Sequence, residues 1–211
     1  PRMFFGVAFG KEKFVAVGEG GTIVHSSDGR TWTLAQSGAM VSLRAVTYGK
    51  DIFVAVGDNG AILTSPDGAG WTIRSSGVPD SLQGIAYGKD LFLAAGEKGT
   101  LRKSADGIMW EAVSSGNSDS LRNIAFADGR FLAAGDNGTV LMSSDGETWR
   151  KIVSGAKIVK GIAHGTAGFV AFGGMGSVLI SADGEKWISR ATGVSAWLKG
   201  LTYMPDRYVA V

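Results

Sequence analysis

Short apolar runs of four to six residues recur along the chain, and one run in each repeat does not alternate with polar residues. Phe14-Val15-Ala16-Val17, Phe53-Val54-Ala55-Val56, Phe92-Leu93-Ala94-Ala95, Phe131-Leu132-Ala133-Ala134 and Phe169-Val170-Ala171-Phe172 are copies of one run. An unbroken apolar stretch this short, bounded by turn residues, reads as a strand covered on both faces. Three further runs accompany each copy. In the second repeat the four are Leu43 to Tyr48, Ile52 to Val56, Ala61 to Ser65 and Trp71 to Arg74. Gly49-Lys50-Asp51, Asp58-Asn59-Gly60 and Pro66-Asp67-Gly68 separate them. Gly, Asn and Asp between β-branched and aromatic runs predict hairpin turns, so the four runs become antiparallel strands a, b, c and d. No window keeps helical spacing over ten residues, and nothing longer than a turn is expected to be helical.

Each strand d opens at a tryptophan. Trp32, Trp71, Trp110, Trp149 and Trp187 stand 39, 39, 39 and 38 residues apart, each closing a Ser-x-Asp-Gly-x-x-Trp motif. Four antiparallel strands in about 40 residues, repeated, is the arithmetic of a β-propeller blade. The expected fold is therefore all-β, a propeller over residues 1–211 as one domain. Its units are about 1–39, 40–78, 79–117, 118–155 and 156–195, with a partial unit 196–211. The last unit holds only strands a and b, Leu198 to Tyr203 and Tyr208 to Val211, which makes five blades and half of a sixth. Strands upstream of Pro1 would complete that blade in a six-bladed parent, and seven blades are also compatible. Left incomplete, the half blade would offer an edge for self-association.

The repeated block Phe-Val-Ala-Val-Gly-x-x-Gly-x-Ile with Ser-x-Asp-Gly-x-x-Trp resembles the BNR or Asp-box repeat of sialidases and sortilin-type receptors. It is still more similar to repeats of propellers of the photosystem II stability/assembly factor kind, and the resemblance covers essentially the whole chain. In the sialidase box a residue separates Asp from Gly, whereas here they are adjacent and the c–d turn is one residue shorter. What the resemblance implies is a binding or assembly scaffold and an extracytoplasmic or cell-surface setting.

In each motif Asp28, Asp67, Asp106, Asp145 or Asp183 is expected to accept backbone hydrogen bonds of its own turn, and the following Gly to take positive φ. The opening Ser is expected to bond across the hairpin, and the indole to drop between blades. Five equivalent copies do not make the single asymmetric constellation that catalysis needs, so these residues are assigned to structure and no catalytic residue is named.

With 21 Lys and Arg against 19 Asp and Glu, the chain has no broad basic field, which argues against nucleic acid as partner. No apolar stretch approaches the roughly 20 residues of a membrane helix, so membrane insertion is not expected, and no secretion signal is legible in these residues. Without cysteine there are no disulfides or thiolate metal sites. His25 and His164, on strands c and a of different repeats, give no ligand pair, and neither metal nor cofactor is expected. A sialidase-like site needs three converging arginines, and strand a supplies only Arg44 and Arg122.

In a propeller the d–a and b–c connections share one face and the boxes share the other. The d–a segments vary most: Ala39-Met40-Val41-Ser42, Val78-Pro79-Asp80-Ser81, Asn117-Ser118-Asp119-Ser120, Ala156-Lys157-Ile158-Val159 and Val194-Ser195-Ala196-Trp197. Loops freed from a repeat pattern are where recognition is carried. On that face the second position of strand a reads Phe5, Arg44, Gln83, Arg122, Lys160 and Lys199. Two readings follow. The cations line a channel mouth that attracts a carboxylate, phosphate or acidic segment, or they pair with Glu19, Asp58, Glu97 and Asp136 of the b–c turns. Trp197 either stacks on a sugar ring or anchors a partner, or else covers the unfinished blade. Met40, Ile158 and Val159 are candidates for an apolar patch beside it. The candidate binding residues are thus Arg44, Arg122, Lys160, Lys199 and Trp197. The expected function is a non-catalytic scaffold with a protein partner on this face, the alternative a glycan-binding module or glycosidase relative that recognises an acidic sugar.

Overall fold

The computed structural model describes residues 2–153, 159–193, 198, 200–204 and 207–210. The first blade runs β1 (Phe4–Gly10), β2 (Lys13–Gly18), β3 (Ile23–Ser26) and β4 (Thr33–Leu34). The second is β5 (Leu43–Gly49), β6 (Ile52–Gly57), β7 (Ile62–Ser65) and β8 (Thr72–Arg74). The third is β9 (Leu82–Gly88), β10 (Leu91–Gly96), β11 (Leu101–Ser104) and β12 (Glu111–Val113). The fourth is β13 (Leu121–Ala127), β14 (Arg130–Gly135), β15 (Thr139–Ser143) and β16 (Arg150–Val153). The fifth is β17 (Val159–Gly165), β18 (Gly168–Gly173), β19 (Ser177–Ser181) and β20 (Ile188–Ala191). A two-stranded sheet, β21 (Leu201–Met204) and β22 (Arg207–Ala210), follows. Each complete blade is an antiparallel sheet in chain order, and helical structure among the described residues is limited to three-residue 3₁₀ turns between strands b and c. The chain is a β-propeller of five four-stranded blades and a two-stranded half blade, as its periodicity predicts.

The central positions of strands b are apolar because each strand between two blades serves two seams. Phe53 and Ala55 of β6 pack toward the first blade with Val15, Val17 and Ile23, whereas Val54 and Val56 face the third blade with Leu82, Ile85 and Phe92. The third and fourth blades share Leu93, Ala95, Phe131 and Ala133, and the fourth and fifth share Leu132, Ala134, Phe169 and Ala171. The core is therefore a set of slabs between blades. Alternate positions of one strand belong to different slabs, the period of two expected of a pleated strand.

Strands a lie against one another at the centre and line a channel of about 880 Å³. Val7, Val46, Ile85, Ile162 and Leu201 form an apolar band within it. Val7 is 64% exposed where Val46 is 8% exposed, because the face of β1 turned away from the second blade lacks the cover that every internal seam supplies.

The motif turns behave as expected, with two corrections. Asp Oδ1 accepts the backbone N–H groups two and three residues on, at 2.8–3.1 Å in all five copies. The following Gly has φ between +69° and +80°. The serine, however, does not reach across the hairpin: its hydroxyl donates to Asp Oδ1 and accepts the Gly N–H, closing the turn on itself. The indole is wedged at a seam in four copies, where Trp71, Trp110, Trp149 and Trp187 pack on the seam clusters and donate Nε1–H to the Gly carbonyl of their own turn. Trp32 is the exception, 41% exposed and in ring contact with Phe14.

A candidate recognition face at the channel mouth

The b–c and d–a connections meet at one end of the strands. Asp58, Glu97 and Asp136 each donate their backbone N–H to the residue before strand a, Ser42, Ser81 and Ser120, at 2.9–3.0 Å. Strand b must end in glycine for this approach. A Cβ on Gly57 or Gly96 would lie 2.2 Å from the carbonyl oxygen of Ser42 or Ser81. This clamp places the second residue of strand a opposite the first residue of the b–c turn, always fourteen positions later.

The pairing that follows favours the salt-bridge reading for both arginines. Arg44 donates Nε–H and Nη2–H to the two carboxylate oxygens of Asp58, both at 2.7 Å. Arg122 does the same to Asp136 at 3.0 and 2.6 Å. These bidentate, partly buried bonds hold both guanidiniums further above their ordinary value, against the opposing pull of burial. Arg44 also lies over the ring of Phe5, 4.9 Å from its centroid. The mouth is thus a mosaic of both signs. Its cleft, about 620 Å³, is lined by Arg44 and Arg122 with Asp58, Glu97, Gln83 and the apolar Met40 and Val41 among others. Lys160 lines the channel further round. Lys199, Trp197 and Ile158 lie outside the described residues.

Val159 does not extend an apolar patch. It is the first residue of β17 and is buried in the seam with the fourth blade. Met40 stands out instead, 93% exposed at the rim of the cleft. The loops that lead into the third and fourth blades spend variable positions on holding themselves down. Asp80 takes the Lys98 ammonium at 2.6 Å, and Asp119 accepts Thr139 Oγ1–H at 2.6 Å and Asn137 Nδ2–H at 2.7 Å. These hydrogen bonds pull the Asp119 carboxyl below its usual value. Sequence reasoning missed this loop network, although an acid in two of the five d–a segments was its trace. It also missed Asn123, which occupies a Gly or Ala position of strand a and accepts the Ile162 N–H of the next blade at 3.3 Å.

The histidines take no part. His164 stands where other blades place Phe or Tyr and stacks on Phe169 at 4.5 Å. Among the described residues no cluster of His, Cys, Asp or Glu is arranged to hold a metal ion, and no helix is long and apolar enough to cross a membrane.

No family model matches the chain, and no curated protein matches it. Solved structures do. YCF48 bound to D1 peptide is 19% identical with a TM-score of 0.76, over 99% of this chain and 74% of that one. YCF48 from Cyanidioschyzon merolae is 17% identical with a TM-score of 0.74, over 99% and 79%. The WD40 β-propeller domain of Doa1 is 14% identical with a TM-score of 0.78, over 99% and 75%. At these identities the likeness is one of fold.

Proposed function

We propose that this propeller is a non-catalytic scaffold that binds a protein partner on the face carrying its d–a and b–c connections. The observation that carries the reading is the mouth cleft with Met40 at its rim. A large apolar side chain stands 93% exposed beside polar groups already fixed in place by ion pairs, the arrangement of an anchor in a pre-organised polar surround. The structural neighbour bound to a D1 peptide supports a peptide or protein ligand by analogy. The Ser-x-Asp-Gly-x-x-Trp turns fit a shortened Asp-box repeat with a scaffolding role, since their polar atoms are consumed within the turn.

Crosslinking with mass-spectrometric mapping on affinity-captured partners tests this. Crosslinks should fall on residues 39–42, 58–60 and 97–99, and Met40→Asp should abolish capture while Met109→Asp, on the box face, leaves it intact. Crosslinks confined to the box face overturn the proposal. So does a glycan-array signal that disappears in Arg122→Ala and Trp197→Ala with no captured protein.

A further inference from the structure

The third blade breaks the rule of the second and fourth at one atom group. In those blades the b–c carboxylate receives a guanidinium from its own strand a in two parallel bonds of 2.6–3.0 Å. The backbone frame that presents the carboxylate is the same in all three blades. Leu43 pairs with Gly57, Leu82 with Gly96 and Leu121 with Gly135, and the turn N–H binds the serine carbonyl in each. In the third blade the carboxylate is Glu97, and the strand residue opposite it is the neutral Gln83. Glu97 Oε2 accepts a long 3.4 Å bond from the Ser81 N–H, and both Glu97 and Gln83 line the open cleft. The neighbouring Lys98 ammonium is taken by Asp80 at 2.6 Å.

We propose that Glu97, with Gln83 beside it, is a binding site for a guanidinium supplied from outside, an arginine side chain of the partner entering the mouth cleft. The second and fourth blades show what such a carboxylate accepts in this frame, and the planar fork of arginine matches it in two parallel bonds. The flanking positive charges do not close the site. Arg44 and Arg122 each spend their two parallel bonds on their own aspartate, Asp58 and Asp136, and reach Glu97 only through longer-range attraction. Gln83 is short of the reach of arginine and leaves the space that an arginine of this chain would fill. Its amide can still accept or donate a bond to the guest.

This site deepens the partner-binding reading and rests on it, but its test does not need the partner. The full chain is titrated with acetyl-arginine amide and, separately, with the uncharged near-isostere acetyl-citrulline amide, and backbone amide shifts are followed. The arginine probe should shift Ser81 and Glu97 to Gly99 saturably and the citrulline probe should not. Gln83→Arg supplies the guanidinium in cis and should weaken the arginine probe about tenfold or more, as should Glu97→Gln, because each removes a hydrogen-bonded charge pair. Gln83→Arg also restores the residue pair of the second and fourth blades, so its fold serves as the control. Equal response to the two probes, no shift at those amides, or binding indifferent to Gln83→Arg overturns the site. Partner capture that is lost in Met40→Asp yet unchanged in Gln83→Arg removes this site and leaves the recognition face standing.

Discussion

Gly49, the last residue of β5, lies flat beneath the ring of Tyr87 in the next blade: a Cβ built on it would stand 2.3 Å from Tyr87 Cγ. The same contact joins Gly10 to Tyr48, Gly88 to Phe126 and Gly165 to Tyr203. Each ring also packs on the aromatic second residue of its own strand b, as Tyr87 does on Phe92 at 4.7 Å between centroids. At the one seam where strand a ends in alanine, Ala127, the aromatic register of the next blade holds the smaller His164. Residue size is thus matched across the seam.

Gly49→Ala should therefore destabilise the protein by about 1–3 kcal/mol through overpacking. Adding Tyr87→His should recover part of the loss. Thermal unfolding of the two single variants and the double variant reads the coupling, and strictly additive effects would contradict the size match.

Trp110 and Trp32 occupy equivalent positions with unequal surroundings, 8% against 41% exposed. Trp110→Ala empties a seam and leaves the Gly107 carbonyl without its indole donor, at an expected cost of about 3–5 kcal/mol. Trp32→Ala should cost less, about 1–2 kcal/mol, since two fifths of its surface is already exposed and only the buried part contributes a transfer term. Denaturant midpoints at constant m-value separate the two.

The motif aspartates predict an acid limb. Backbone N–H groups hold the carboxyls of Asp28, Asp145 and Asp183 down to about 2 from an ordinary 3.8, and those of Asp67 and Asp106 are lowered by the same cause. A depressed folded value means that the unfolded chain binds protons first. The stabilisation is therefore complete above 3.8 and is lost as pH falls through that value toward about 2. Chemical denaturation across this window should show the decline, and each Asp→Asn substitution should flatten part of it. A stability profile unchanged by all five substitutions would contradict the assignment.

For Arg44 and Asp58 a double-mutant cycle to alanine should give a coupling of about 1 kcal/mol that shrinks with added salt, the bidentate geometry placing it at the upper end for a partly exposed pair. Replacing Phe5 by Leu should weaken the coupling, because the ring holds the guanidinium in place from its other side.

What could be read from the chain was whatever the repeat encodes in residue type. Blade count, strand order, the apolar b strands and the positive φ after each motif aspartate all come from such positions, and the structure matches them. Seam geometry was less legible. The glycine under each tyrosine reads as turn punctuation in sequence, because its reason is a ring about 40 residues away. At the mouth the periodic acids and bases were visible, yet periodicity alone left open whether they pair with each other or with a ligand. In the structure Arg44 pairs with Asp58 across the frame set by the Asp58 N–H to Ser42 carbonyl clamp, and at Gln83 the register carries no cation. Loop residues such as Asp119 and Met40 lie off the repeat, where no second copy tells a tether from a contact.

The division of each b strand between two slabs has a consequence for inheritance and for grafting. Phe92 and Ala94 answer to the second blade, Leu93 and Ala95 to the fourth. A whole repeat transplanted from a cousin protein thus carries two half-lock surfaces cut for neighbours it has left behind. The portable module is the first and third apolar positions of one ribbon together with the second and fourth of the ribbon before it, and chimeras that keep those two sets together should keep their cooperativity where blade-for-blade exchanges lose it.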